Sequence, residues 1–349
     1  MAPGGTGKSS LVMVESVSMA IGVDLLDNKQ PLERSFRTWY HKGEDNMDEL
    51  KRRLAGICQH YDVPLVNLEG CFFMTSGNEV PLRVAQSANQ IQFQTDHRLV
   101  KCIAEQIGDN HIDVANFDPL VTLHAVTESD PGKMDAVVRI FNKIADTQNC
   151  AIDLSHHTRK LPPGAGPTDY DLDDMRGAKA ISDAMRAVRI LNYMSKQDAE
   201  NAGLMEMERT SHFRIDRGKA NYSAPSKQAI WRKFVNVDLP NGDAVGVITP
   251  WLFPGQEGAP PSPEKAEAER KAEHVFLEVL RRLTLAGRFV GEAGPKAAPT
   301  LFAREREAKV ARVSRAALAD AMRRLFDRGR IRIEEHRVGG HGVSRIVEI

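Results

Sequence analysis

Between Ser9 and about Pro250 the chain alternates between stretches whose apolar residues recur at helical spacing and short runs that are apolar throughout. That rhythm predicts an α/β fold, a mostly parallel sheet with helices on its faces. Helices are expected over Ser9–Val23 and Met47–Tyr61, the second opened by Asn46 as its cap with Glu49 three residues on. Two more cover Asp96–Ile107 and Lys133–Thr147. Phe36–His41, Cys71–Met74, His111–Phe117, Cys150–Leu154 and Ala187–Tyr193 read as the strands between them. Strands at His212–Asp216, Ile230–Val237 and Val245–Thr249 follow without long helices, which makes one edge of the sheet antiparallel. Pro162–Asp174, rich in proline, glycine and aspartate, reads as a mobile loop.

A second proline- and glycine-rich stretch divides the chain into a domain over 1–252, a linker over 253–263 and a smaller domain over 264–349. The smaller part reads as a charged helical run, Glu264–Arg288, a helix over Leu301–Val310, and another from Ser314 or Arg315 to Asp327. Strands over Arg330–His336 and Ser344–Ile349 follow, around the turn Gly339-Gly340-His341-Gly342. A helix-turn-helix with a β-hairpin wing, that is a winged-helix-type α+β domain, is the simplest assembly of those pieces.

Composition adds little beyond exclusion. The 42% apolar content is that of a folded protein, and 47 basic residues balance 47 acidic ones, so net charge points to neither nucleic acid nor membrane. Cys58, Cys71, Cys102 and Cys150 lie far apart, which fits neither a disulfide framework nor a zinc site. No apolar stretch approaches the roughly 18 residues of a membrane span, and no secretory leader is visible. A cytoplasmic, reduced protein is expected.

The chemistry begins at Ala2-Pro3-Gly4-Gly5-Thr6-Gly7-Lys8-Ser9, which fits the Walker A pattern. Gly4, Gly5, Thr6 and Gly7 let backbone N–H groups turn inward around phosphates, with Ser9 and Ser10 opening the helix behind them. Lys8 is placed to meet the β- and γ-phosphates of ATP, and Ser9 to hold Mg²⁺. A P-loop ordinarily follows a buried strand, and here only Met1 precedes it. Either the chain starts late or another segment supplies the central strand. A Walker B carboxylate belongs at the end of an apolar strand, and His111–Leu120 offers Asp118, with Asp113 as the weaker candidate. Lys42-Gly43-Glu44-Asp45 follows directly on the strand Phe36–His41 and offers Glu44 as the base that activates water.

In order and spacing these segments resemble the RecA-like hexameric ATPases, most closely the branch of the plasmid replicative helicase RepA and related AAA_25-type proteins. The resemblance runs from Ala2 to about Tyr222. It comprises Gly43-Glu44-Asp45, the arginine-rich Glu49-Leu50-Lys51-Arg52-Arg53-Leu54, Asp118-Pro119-Leu120, the strand end Ser155-His156-His157-Thr158-Arg159-Lys160, and Arg176-Gly177-Ala178. The resemblance implies that His157 senses the γ-phosphate and passes its presence to a loop, Lys160–Asp174, facing a central channel. It implies too that Arg176, Arg186 and Lys219 act on a neighbour's nucleotide, hence a homo-oligomeric ring of six.

From Arg304 onward twelve basic residues stand against seven acidic ones. Arg312, Arg315, Arg323, Arg324, Arg328, Arg330, Arg332, Arg337 and Arg345 cluster around the predicted helix and hairpin. A winged helix would set Ser314–Arg324 in a major groove and Arg337–Arg345 along the backbone. Few aromatics stand ready to stack on single-stranded bases. The sequence therefore predicts an ATP- and Mg²⁺-dependent motor acting on DNA, single-stranded through the ring or duplex at the C-terminal domain. A nucleotide-switched DNA-binding regulator and an inactive remnant are the rival expectations.

Overall fold

The computed structural model describes residues 1, 6–28, 32–88, 92–158, 169–171, 174, 178–220, 229–256, 263–292, 297–338 and 341–349. They form two compact units, 1–256 and 257–349. In chain order the first unit contains α1 (Lys8–Ile21), β1 (Thr38–Lys42), α2 (Met47–His60), β2 (Phe72–Ser76), β3 (Ala85–Ala88), β4 (Gln92–Thr95) and α3 (His97–Asp109). Next come β5 (Val114–Asp118), β6 (His124–Ala125), α4 (Pro131–Gln148), β7 (Ala151–Leu154), α5 (Ala178–Ala184), β8 (Ala187–Tyr193), α6 (Lys196–Ala202) and α7 (Glu206–Arg209). The strands β9 (His212–Ala220), β10 (Ile230–Asp238) and β11 (Ala244–Pro250) close it.

Strands β2, β1, β5 and β7 lie side by side in that order, all parallel. Alternation along them sorts side chains between two cores. Tyr40 joins Leu11, Val17, Leu50 and Ile57 on the face covered by α1 and α2. Trp39, Ala115 and Phe117 join Ile103, Ile107 and Phe141 on the face covered by α3 and α4. Each fully buried leucine, isoleucine, valine or phenylalanine among them contributes about 1.5–3 kcal/mol. Caps set two helix starts as expected: Asn46 accepts from the Glu49 N–H, and Asp96 does the same for Leu99.

The antiparallel part is larger than one edge, because β8, β9, β10 and β11 form a four-stranded antiparallel sheet of their own. Short connections allow it, since antiparallel strands need no crossover helix. The small sheet of β4, β3 and β6 was not announced by the hydrophobic pattern, because Gln86, Ser87, Gln92 and Gln94 interrupt any apolar run. Met1 lies against β8, donating to the Arg189 carbonyl at 2.6 Å and accepting from the Leu191 N–H at 2.8 Å. Among the described residues no further strand pairs with β7 or β8 on that side, so no other described segment takes the central place.

The second unit contains α8 (Pro263–Leu285), α9 (Ala298–Phe302), α10 (Arg306–Ala311), α11 (Arg315–Asp327), and the antiparallel hairpin of β12 (Ile331–Val338) and β13 (His341–Glu348). The Ile346 N–H also bonds the Val290 carbonyl, at 2.9 Å, which brings the chain ahead of α9 alongside β13. The single helix expected over Leu301–Val310 is two short ones. Phe302 and Ala308 are both buried in one core, and six residues along an unbroken helix would turn them to different faces. The hairpin turn at Gly339 and Gly340 lies outside the described residues. Among the described residues no helix is long and apolar enough to cross a membrane.

Candidate active site

Helix α1 starts at Lys8 because Gly7 turns the chain with φ 96°, a left-handed conformation that favours glycine. The Phe234 ring crosses over this turn, so a Cβ on Gly7 would come within 2.4 Å of it. Thr6, Gly7, Lys8, Ser9 and Ser10 line a cleft of about 590 Å³ together with Lys42, Glu44, Arg53 and His157. Ligand sites occupy on the order of 300–1,000 Å³. The start of α1 offers this cleft N–H groups that have no partner within the helix, and these suit anionic oxygen. Gly4 and Gly5 lie outside the described residues.

Asp118 reaches the same place from the end of β5. Asn116 and Asp118 alternate to the α1 face, where the Asn116 amide donates to the Ser16 hydroxyl at 3.1 Å. Asp118 Oδ1 stands 3.1 Å from Lys8 Nζ, and Tyr40 donates its hydroxyl to Oδ2 at 3.3 Å. The Ser9 hydroxyl also bonds this carboxylate. Burial pushes the Asp118 carboxyl up, but the Lys8 and Lys42 ammonium groups and the Ser9 hydroxyl outweigh it and hold it below its ordinary value. Apart from their contact with each other, Lys8 Nζ and Asp118 Oδ1 are buried without a hydrogen-bond partner. That deficit suits a ligand bringing both phosphate oxygen and a cation. The residues present thus fit Mg²⁺ and ATP.

Lys42 is the site residue the sequence reading missed. Its register partner across the parallel pair is Asp118, and both side chains leave their strands on the α1 face. Its ammonium, 5% exposed, lies 3.4 Å from Asp118 Oδ2 and 3.4 Å from Glu44 Oε2. One buried cation therefore joins the candidate metal carboxylate to the candidate base. Glu44 itself is half-exposed at the mouth of the cleft. Gly43 precedes it because a Cβ there would meet Thr122 Oγ1 at 2.0 Å. The backbone can carry Glu44 past the loop after β5 only without a side chain at that point.

His157, just beyond β7, completes the lining. Burial and then Lys8 hold its imidazole below the ordinary histidine value against the opposing pull of Glu44 and Asp118, which favours the uncharged ring. The arginines of α2 are already engaged, Arg53 with Asp45 at 3.2 Å and Arg52 with Asp243 at 3.2 Å. Asp113 sits at the opposite end of β5 and pairs with Arg34 at 2.7 Å, which removes it as a metal carboxylate. Arg186 is exposed just before β8, and Lys219 donates to the Ser182 carbonyl at 2.8 Å. Neither lines the cleft. Arg176 and most of Lys160–Asp174 lie outside the described residues.

Residues 1–162 match the model of a family described as an AAA domain, and that stretch contains Lys8, Ser9, Lys42, Glu44, Asp118 and His157. It is therefore similar to AAA-type ATPase domains. Among solved structures the chain is similar to one described as an ATPase domain, with TM-score 0.46 and 11% identity over 67% of this chain and 79% of that one. It is similar also to a DnaB-like replicative helicase whose interactions with primase were studied, with TM-score 0.47 and 10% identity over 67% of this chain. The chain spans 54% of that helicase's length.

Proposed function

We propose that the first unit is a Mg²⁺-dependent P-loop ATPase, a RecA-like motor of the RepA branch that acts on DNA as a homo-oligomeric ring of six. The observation that carries the ATPase reading is the convergence of Lys8, Ser9, Asp118, Glu44 and His157 on one cleft at the start of α1. Lys8 and the first-turn N–H groups bind the β- and γ-phosphates. Ser9 and Asp118 would hold Mg²⁺, which when bound would supply positive charge to the phosphate oxygens. Glu44 takes the proton of the attacking water, held toward the cleft by Lys42. His157, neutral and next to Lys8, is placed to hydrogen-bond the γ-phosphate.

Arg176, Arg186 and Lys219 are proposed to act on the neighbouring subunit's nucleotide, a contribution worth about 10³ to 10⁵ in rate for such a residue. The positions of Arg186 and Lys219 outside their own cleft agree with that assignment. The second unit is read as a winged helix. Its helices α8 to α11, the strand-like contact at Val290 and the β12–β13 hairpin occur in the order that motif requires. Duplex DNA is its proposed partner, and single-stranded DNA that of the ring.

The motor reading predicts ATP hydrolysis that rises with single-stranded DNA, together with unwinding of a forked duplex that needs ATP. Both are read on the full chain by phosphate release and by separation of a fluorophore from its quencher. Hydrolysis indifferent to single strands, beside tight duplex binding and no unwinding, would replace the motor with a nucleotide-switched regulator.

A further inference from the structure

In the second unit, residues 304–315 carry five exposed basic side chains, Arg304, Arg306, Lys309, Arg312 and Arg315. The acidic residues of the same stretch, Glu305 and Glu307, turn away. Both are half-buried and both engage Arg282 of α8, each at 2.6 Å. The alternating sequence Arg-Glu-Arg-Glu is thereby sorted, acids inward and arginines outward. Among the described residues none of the five cations forms an ion pair, although Glu307 feels the charge of Arg306 beside it.

The hairpin differs in this respect. Arg332 and Arg345 both pair with Glu334, at 3.1 and 2.8 Å, and Arg324 and Arg328 both pair with Glu273 of α8, at 2.7 and 3.0 Å. On the exposed side of α11, Arg323 is tied to Asp320. Of the arginines the sequence assigned to the groove and the backbone, Arg323, Arg324 and Arg345 are thus paired within the unit and Arg315 is not, while the side chain of Arg337 lies outside the described residues. Among the described residues the densest group of basic side chains without an ion pair lies on α10 and the turn into α11, against the scattered Arg270, Lys271, Arg288 and Arg330 elsewhere in the unit. Arg312 takes φ 56° at the end of α10, and Ser314 caps α11 by accepting from the Ala317 N–H. That left-handed turn separates Arg306 and Lys309 on one helix from Arg315 at the first position of the next, with Arg312 in the turn itself. Beside them Val310 is 75% exposed and Ala316 is exposed.

We propose that this edge, residues 304–315, is a sequence-independent binding surface for the phosphate backbone of duplex DNA. Arginine forks suit phosphate oxygens, and phosphate contacts carry no sequence information. Single strands fit less well. The phenylalanines of the unit are Phe276, Phe289, Phe302 and Phe326, each buried or half-buried, so none of these rings offers unpaired bases an open face to stack on. The inference rests on reading the second unit as a DNA-binding module. It does not depend on ATP turnover.

The test is equilibrium binding of a short mixed-sequence duplex to the full chain without nucleotide, followed by fluorescence anisotropy as salt is raised. Five released counterions give a slope of log affinity against log salt of about −4.5. Replacing Arg312 and Arg315 together by glutamine is expected to make the slope shallower by about 1.8 and to weaken binding about 60-fold at about 0.1 M salt. The paired control, Arg332→Gln with Arg345→Gln, is expected to change the slope by no more than about 0.9, because Glu334 already balances one of the two charges. Unaltered binding in the first variant, equal loss in the control, or equal affinity for a single strand of the same length overturns the assignment. Basal ATP hydrolysis in the same samples keeps the two readings apart: an inactive wild type that still loses duplex binding on the double substitution sinks the ATPase and leaves the surface standing.

Discussion

Glu44→Gln is expected to lower ATP turnover by about 10²- to 10⁴-fold, the usual contribution of a positioned general base, while nucleotide still binds. Glutamine keeps the shape and the reach of Glu44 but cannot take a proton from water. Glu44 is half-exposed, and glutamine keeps an oxygen that can accept from Lys42, which also retains Asp118, so the stability cost should stay well below that of Asp118→Asn. Single-turnover hydrolysis and fluorescent-nucleotide titration on one preparation measure both quantities. A variant that binds ATP and hydrolyses it at the wild-type rate would show that another group activates the water.

Asp118→Asn is expected to act on stability as well as activity. Asp118 is fully buried and balances two buried ammonium groups, Lys8 at 3.1 Å and Lys42 at 3.4 Å. Removing one partner of a buried pair leaves uncompensated charge and costs about 3–5 kcal/mol. The mid-point of urea unfolding should fall accordingly, and Mg²⁺-dependent turnover should disappear. The pH dependence follows from the lowered carboxyl pKa. The stabilisation is fully present above the ordinary aspartate value of about 3.9 and is lost as pH falls through the lower folded value. A variant as stable as wild type at neutral pH would mean that the lysines find other partners.

Much of this site was legible because its parts are short and periodic. The glycine-lysine-serine turn announces a helix start, and the cap at Asn46 places α2 to within a residue or two. Asp118 was found from a local cue, an aspartate ending an apolar run before a proline. Its rival Asp113 could be discarded only from the structure, since its partner Arg34 is 79 residues away in sequence. Lys42 was hidden for a related reason. A lysine after an apolar run reads as solvated, and its burial follows from the pairing of β1 with β5, a non-local fact. Alternation from Tyr40 does send Lys42 to the α1 face, so the signal was present once a neighbour was known.

The smaller unit teaches a similar lesson about charge. Counting arginines located a basic region, but only side-chain directions separate those engaged by Glu273 and Glu334 from those left over. The split of the expected Leu301–Val310 helix also has a tertiary cause, the need to bury Phe302 and Ala308 together. The three small strands β3, β4 and β6 carry too many polar residues for any periodicity to reveal them.

The most direct test of the central claim is Mg²⁺-dependent ATP hydrolysis by the full chain beside Lys8→Ala, in the absence of DNA. Slow but measurable turnover is expected in the wild type, abolished by chelating the metal and by removing the Lys8 ammonium. Equal rates in the two proteins, or wild-type hydrolysis that survives chelation, would contradict the assignment of this cleft as the site of phosphoryl transfer.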